Sequence, residues 1–215
     1  MQLIIGNKAY SSWSLRPWIA MKQLGLAFDE VVIPMNQPET RAQMLRYAPT
    51  GLVPTLVDGD VTIFETLAIL EYLNDKYPAA GLWPKDIGAR AHARAVACEM
   101  HAGFAALRRD CPFNIRRAVK KHELSPEAAK NASRIDALWS DCRARFGAGG
   151  PFLFGHFTAA DAMFAPIVNR LHVYDVPRSV VAQAYMDTIQ ALPAWQQWAA
   201  EAQRETWVIE SSEVP

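Results

Sequence analysis

Leu3-Ile4-Ile5-Gly6-Asn7-Lys8-Ala9-Tyr10-Ser11-Ser12-Trp13-Ser14-Leu15-Arg16-Pro17 is the stretch whose reading decides how this chain begins to fold. The apolar triplet Leu3-Ile4-Ile5 reads as a buried strand, and a helical pattern starts near Arg16-Pro17, so the serines lie where a strand turns into a helix. A helix start offers unpaired backbone N–H groups and the positive end of the helix dipole. With small hydroxyls beside them, such groups stabilise a thiolate or a carboxylate. The segment therefore reads as a seat for an anion.

Working outward, residues 3–5 and 28–33 read as strands flanking a helix over 15–24 that Gly25 stops. Residues 55–57 and 61–64 are separated by Asp58-Gly59-Asp60, a tight-turn signal that predicts an antiparallel hairpin. A helix over 65–76 follows. The segment from Tyr77-Pro78 to Trp83-Pro84 holds Gly81 and no periodicity, which is the composition of a linker. Beyond it, residues 89–109, 126–146, 159–171, 180–191 and 194–203 carry helical spacing or strong helix formers. The expected division is an α/β unit over 1–78, a linker over 79–86 and an all-helical unit over 87–215, with a mobile polar tail from Glu210.

The chain has 215 residues, of which 51% are hydrophobic, enough for a sizeable core without staples. Its 22 basic and 22 acidic residues cancel, which argues against nucleic acid or anionic lipid as a partner. The start has neither the basic region nor the long apolar core of a signal peptide, and no apolar run reaches membrane-spanning length. A cytoplasmic location is expected. The three cysteines, Cys98, Cys111 and Cys142, are odd in number and widely spaced, so they read as helix-packing residues and not as a disulfide framework or a metal cluster.

Two further motifs bear on chemistry. Leu52-Val53-Pro54-Thr55-Leu56-Val57 is a strand-like run interrupted by a proline, which suits a strand edge or a turn with a cis bond. Glu65-Thr66 then opens an apolar-periodic run, putting a carboxylate and a hydroxyl at a second helix start. Together they suit the ammonium and carboxylate of a free amino-acid head group.

In this order the three motifs resemble those of the cytosolic glutathione transferase family, and Ser11-Ser12-Trp13-Ser14 with Arg16 is most similar to the Ser-Ser-Cys pattern of its zeta (maleylacetoacetate isomerase) class. Thr158-Ala159-Ala160-Asp161 resembles the buried capping box of the family's second half, so the resemblance spans nearly the whole chain. It implies an α/β thioredoxin-like domain followed by an all-α bundle. It also implies reduced glutathione as co-substrate without a metal, a small electrophile as second substrate, and a homodimer.

By the same resemblance, Ser11 stabilises the thiolate, with Ser12 as the second hydroxyl to test and Tyr10 as a competitor, since other classes use a tyrosine. Trp13 lies at the site and replaces the family's cysteine, Val53 and a cis Pro54 take the cysteinyl backbone, and Glu65 and Thr66 hold the γ-glutamyl group. The first helix of the second half is predicted to place His101, Phe104 and Arg108 on one side, facing the electrophile. Arg116-Arg117 and Lys120-Lys121 read as a solvated face. Two other activities stay open: glutathione-dependent cis–trans isomerisation and a non-catalytic binding module.

Overall fold

The computed structural model describes residues 1–214. Its elements run β1 (Gln2–Ile5), α1 (Ser12–Gln23), β2 (Asp29–Val32), α2 (Thr40–Met44), β3 (Thr55–Asp58), β4 (Val61–Phe64) and α3 (Thr66–Lys76). The helical half follows as α4 (Ile87–Ala102), α5 (Ala105–Asp110), α6 (Pro126–Phe146), α7 (Ala159–Val173), α8 (Val180–Gln190) and α9 (Pro193–Ala202). The four strands form one sheet in the order β2-β1-β3-β4. β1 pairs with β2 in parallel through Gln2–Asp29 to Ile5–Val32, and β3 pairs antiparallel with both β1 and β4. Asp58-Gly59-Asp60 makes the β3–β4 connection, with Gly59 at φ +60°, where a side chain would be strained.

The core is continuous across the two halves because α1 is buried on nearly every side. It packs on the sheet, on α3, on α7 and on α9, with Trp18 meeting Trp198 edge-on at 5.0 Å. Lys8, just before α1, is buried between Trp18 and Trp198, and its ammonium is held by Glu30 and Glu201. Thr158 and Asp161 form the expected capping box at the start of α7: Asp161 accepts from the Thr158 N–H (2.7 Å), the Thr158 hydroxyl (2.8 Å) and the Leu153 N–H (3.1 Å).

Several expectations are corrected. The helix expected over 15–24 begins at Ser12 because Ser11 is its N-cap, and the short α2 carried too few apolar positions to show as a period. The helix expected over 89–109 breaks at Gly103-Phe104. A Cβ at Gly103 would lie 2.7 Å from the Glu99 carbonyl, and Phe104 takes a left-handed conformation (φ 61°) that ends the run while burying its ring. Cys111 and Cys142 are buried, and burial pushes each thiol up to about 12, but Cys98 is exposed on α4.

The C-terminal segment is packed through the described residues to Val214, and not loose. Arg116 and Arg117 hold it through the carbonyls of Glu205, Trp207 and Val214, so this pair is no solvated face, whereas Lys120 and Lys121 are exposed. Among the described residues no helix is long and apolar enough to cross a membrane, and no three His, Cys, Asp or Glu side chains are placed to hold a metal ion.

Candidate functional site

The first turn of α1 starts immediately after the sequence that strand β1 feeds into it. Ser11 caps it: its Oγ accepts from the Ser14 N–H (3.3 Å) and donates to the Ser14 Oγ (2.7 Å), which also accepts from the Gly6 N–H (3.0 Å). The Ser12 hydroxyl and the Trp13 backbone N–H make no hydrogen bond within the described residues. A helix N-terminus with a spare hydroxyl and a spare amide is equipped to receive a negative charge.

Tyr10 is turned elsewhere. Its phenol donates to Glu213 and accepts from Arg116, and burial together with the Glu213 carboxylate pushes it above the usual tyrosine value. Its proton is engaged by the tail and not by the first turn of α1.

Trp13, Val53, Pro54, Glu65 and Thr66 come together around one open groove of about 180 Å³, joined by Thr50, Leu52 and Phe64. The Val53–Pro54 bond is cis, as the family resemblance implies, and the N–H and C=O of Val53 have no backbone partner among the described residues, leaving a short free strand edge. Glu65 sits at φ 78°, a costly conformation for a side-chain-bearing residue, and turns an exposed carboxylate outward at the N-cap of α3. Thr66 is buried, and its hydroxyl donates to the carbonyl of Trp13 (3.2 Å). That carbonyl is free because Pro17, four residues on, has no N–H to give it.

From the helical half, His101 Nε2 reaches Glu65 Oε2 at 3.4 Å and its ring meets Trp13 edge-on at 5.2 Å. Arg108 lies over Trp13 at 4.9 Å from the ring centroid, and Arg16 at 4.1 Å. Phe104 does not join them: with the helix broken beside it, its ring goes into the core. Sequence reasoning missed Thr50, Leu52 and Phe64, whose signal was their adjacency to Val53 and Glu65. Arg16, part of the first motif, is fully buried with its Nε donating to the Met163 carbonyl (3.0 Å), a burial that its sequence neighbours do not signal because arginines are mostly exposed.

Comparison with known proteins agrees along the chain. The family model described as Glutathione S-transferase, N-terminal domain matches residues 10–76, and that described as Glutathione S-transferase, C-terminal domain matches residues 123–201. The chain is 28% identical over 209 residues to Glutathione S-transferase Z2 of Arabidopsis thaliana, covering 93% of each. It is 26% identical over 216 residues to a probable maleylacetoacetate isomerase of Vibrio cholerae, covering 94% of this chain and 98% of the other. A glutathione transferase homologue from Burkholderia, solved with bound glutathione, shares the fold at TM-score 0.71 with 22% identity, covering 94% and 97% of the two chains.

Proposed function

Because this chain belongs to the glutathione S-transferase family, we propose that it holds the thiolate of reduced glutathione at the first turn of α1 and directs it onto a small electrophile presented by the helical half. The observation that carries this reading is the shared groove of Trp13, Val53, Pro54, Glu65 and Thr66, in which Trp13 belongs to the first turn of α1. Residues 1–78 bind glutathione, residues 79–86 link, and residues 87–215 receive the second substrate.

In this arrangement the edge of Val53 pairs with the cysteinyl unit, and Glu65 takes the γ-glutamyl ammonium in place of His101. The Thr66 hydroxyl is committed to Trp13, so the backbone N–H at the start of α3 takes the γ-glutamyl carboxylate. Ser11 is the sulfur's donor: its hydroxyl turns from Ser14 to the stronger charged acceptor, and Ser14 Oγ keeps the Gly6 N–H. A free thiol titrates at about 8.5, and each unit of depression represents about 1.4 kcal/mol of preference for the thiolate.

The test is the ultraviolet titration of enzyme-bound glutathione. The wild type lowers the thiol's pKa; Ser11→Ala raises it by about a unit or more and, with the cap lost, also costs about 1 kcal/mol of stability. Ser12→Ala leaves the melting temperature unchanged, and a larger pKa rise in that variant would move the role to Ser12. A thiol that titrates in the complex as in buffer would remove the proposed activity, and no binding at millimolar glutathione would leave only a binding module.

The relatives named as isomerases favour a second activity, addition to and release from a conjugated acid; Trp13 in place of the cysteine weighs against it. Turnover of an aryl halide against a maleyl keto acid separates the two. The three unpaired cysteines suit the cytoplasm, where a detoxifying conjugation would take place. The exposed Val61 and Phe64 on the edge strand β4 suit a homodimer, so sedimentation should find twice the 24.0 kDa chain mass, and a monomer at micromolar concentration would refute it.

A further inference from the structure

Three cationic or donor side chains from different parts of the fold meet at the Trp13 indole, and each keeps a buried nitrogen without a partner: Arg16 Nη1, Arg108 Nε and His101 Nδ1. Arg108 is anchored by the carbonyls of Met100 and His101 at the C-terminal end of α4. Carbonyl dipoles fix a guanidinium without cancelling its charge, which a carboxylate would do. Behind it, the buried Arg170 donates to the Cys111 carbonyl at 2.8 Å. Among the described residues none of these three arginines forms an ion pair, and the one carboxylate acting on Arg16 is Glu65, which faces His101. Burial first and the charge of Arg108 second hold Arg16 well below the usual arginine range and bring Arg170 down to about 10. Buried like charges without a counter-ion are costly, so a negative charge is missing from this place.

We propose that the missing charge is the thiolate of bound glutathione, and that Arg108 is the positioning residue that supplies its counter-charge from the helical half, across the Trp13 ring. This rests on the reading that the sulfur lies at the first turn of α1. The cation is fixed by two carbonyls before the ligand arrives and lies on the indole that lines the groove, so it favours the ionised sulfur at no cost of reorganisation. The charged groups bearing on Arg108 are Arg16 of α1 and Arg170 of α7; the titratable His101 of α4 meets it at the Trp13 ring, and Glu65 before α3 lies beyond His101.

The experiment compares wild type, Arg108→Gln and Arg108→Lys as full chains. It reads the thiol pKa of bound glutathione by ultraviolet titration and, as a thiol-free control, the affinity for S-methylglutathione by calorimetry. Arg108→Gln should raise the thiol pKa by about one unit while changing S-methylglutathione affinity less than about twofold, and Arg108→Lys should restore most of the depression. Should the glutamine variant not fold, Arg108→Met carries the same comparison, and if neither folds, a lysine variant that lacks the depression overturns the inference.

An unchanged thiol pKa in the neutral variant overturns it, as does equal loss of S-methylglutathione binding, which would mark Arg108 as a prop of the groove. An unchanged pKa with KM raised only for a carboxylate-bearing electrophile overturns it too, and assigns the cations to the second substrate. A wild type that depresses the pKa, in every one of these outcomes, leaves the proposed function standing.

Discussion

At Thr66 one hydroxyl joins two features that sequence alone shows separately. Pro17 leaves the Trp13 carbonyl without its helical donor, and Thr66 Oγ1 fills the vacancy from the start of α3, tying the two helix N-termini of the groove together. Thr66→Val keeps the shape and removes the donor, leaving a buried carbonyl unmet at a cost of about 1–3 kcal/mol. The expected outcome is a several-fold rise in the KM for glutathione with kcat little changed, read by steady-state kinetics; an unchanged KM would show that the two helix starts are held in register by packing alone. Glu65 and Thr66 were legible as a pair because they adjoin at the start of an apolar-periodic run, although capping is the commoner use of such residues there. The His101 partner of Glu65 was not, since a contact between residues so far apart in sequence is set by how the halves dock. Phe104 was misread for a local reason, the extended Gly103 followed by its own left-handed backbone, which a helical wheel drawn straight through the glycine cannot show.

Among the elements, those with strong end signals were legible to within a residue or two. α6 begins with Ser125 as N-cap and Pro126 at its first position and stops at Gly147, and α7 opens on its capping box. α1 was read three residues late because its first turn is made of serines, which do not register as an apolar period but cap and line the start. The α7 box is structural: Asp161 is fully buried and accepts from two N–H groups and a hydroxyl. Asp161→Ala would orphan those donors and cost about 3 kcal/mol, which for a chain of this size lowers the melting temperature by about 6–12 °C. Turnover per folded molecule should stay at the wild-type value. Calorimetry beside an assay at low temperature checks both parts, and lost turnover at full stability would place Asp161 in the chemistry instead.

Across the whole molecule, composition and periodicity disclosed two halves but not the clasp between them, because that clasp is built from polar groups that read as surface. After α9 the chain returns to the segment just before the first turn of α1. The Glu205 carboxylate accepts from the Lys8 N–H (2.7 Å) and the Ala9 N–H (2.9 Å), Glu213 accepts from Tyr10, and Arg116 binds Tyr10 and the carbonyls of Glu205 and Trp207 at once. Removing residues 204–215 would leave the N–H groups of Lys8 and Ala9 and the Tyr10 hydroxyl without acceptors directly upstream of Ser11. At about 1–3 kcal/mol for each buried group left unmet, the melting temperature should fall by roughly 10 °C or more. The ammonium of Lys8 keeps Glu30, Glu201 and its two tryptophans, so the fold should persist while the approach to the first turn loosens. The truncated chain should therefore remain helical by circular dichroism yet need several-fold more glutathione for half-saturation, with Glu205→Gln, which keeps one carbonyl acceptor, falling between it and the wild type. If the truncated chain melts and saturates as the full one does, the tail merely rests on Tyr10, and the order that Ser11 depends on comes from α1 and the sheet alone.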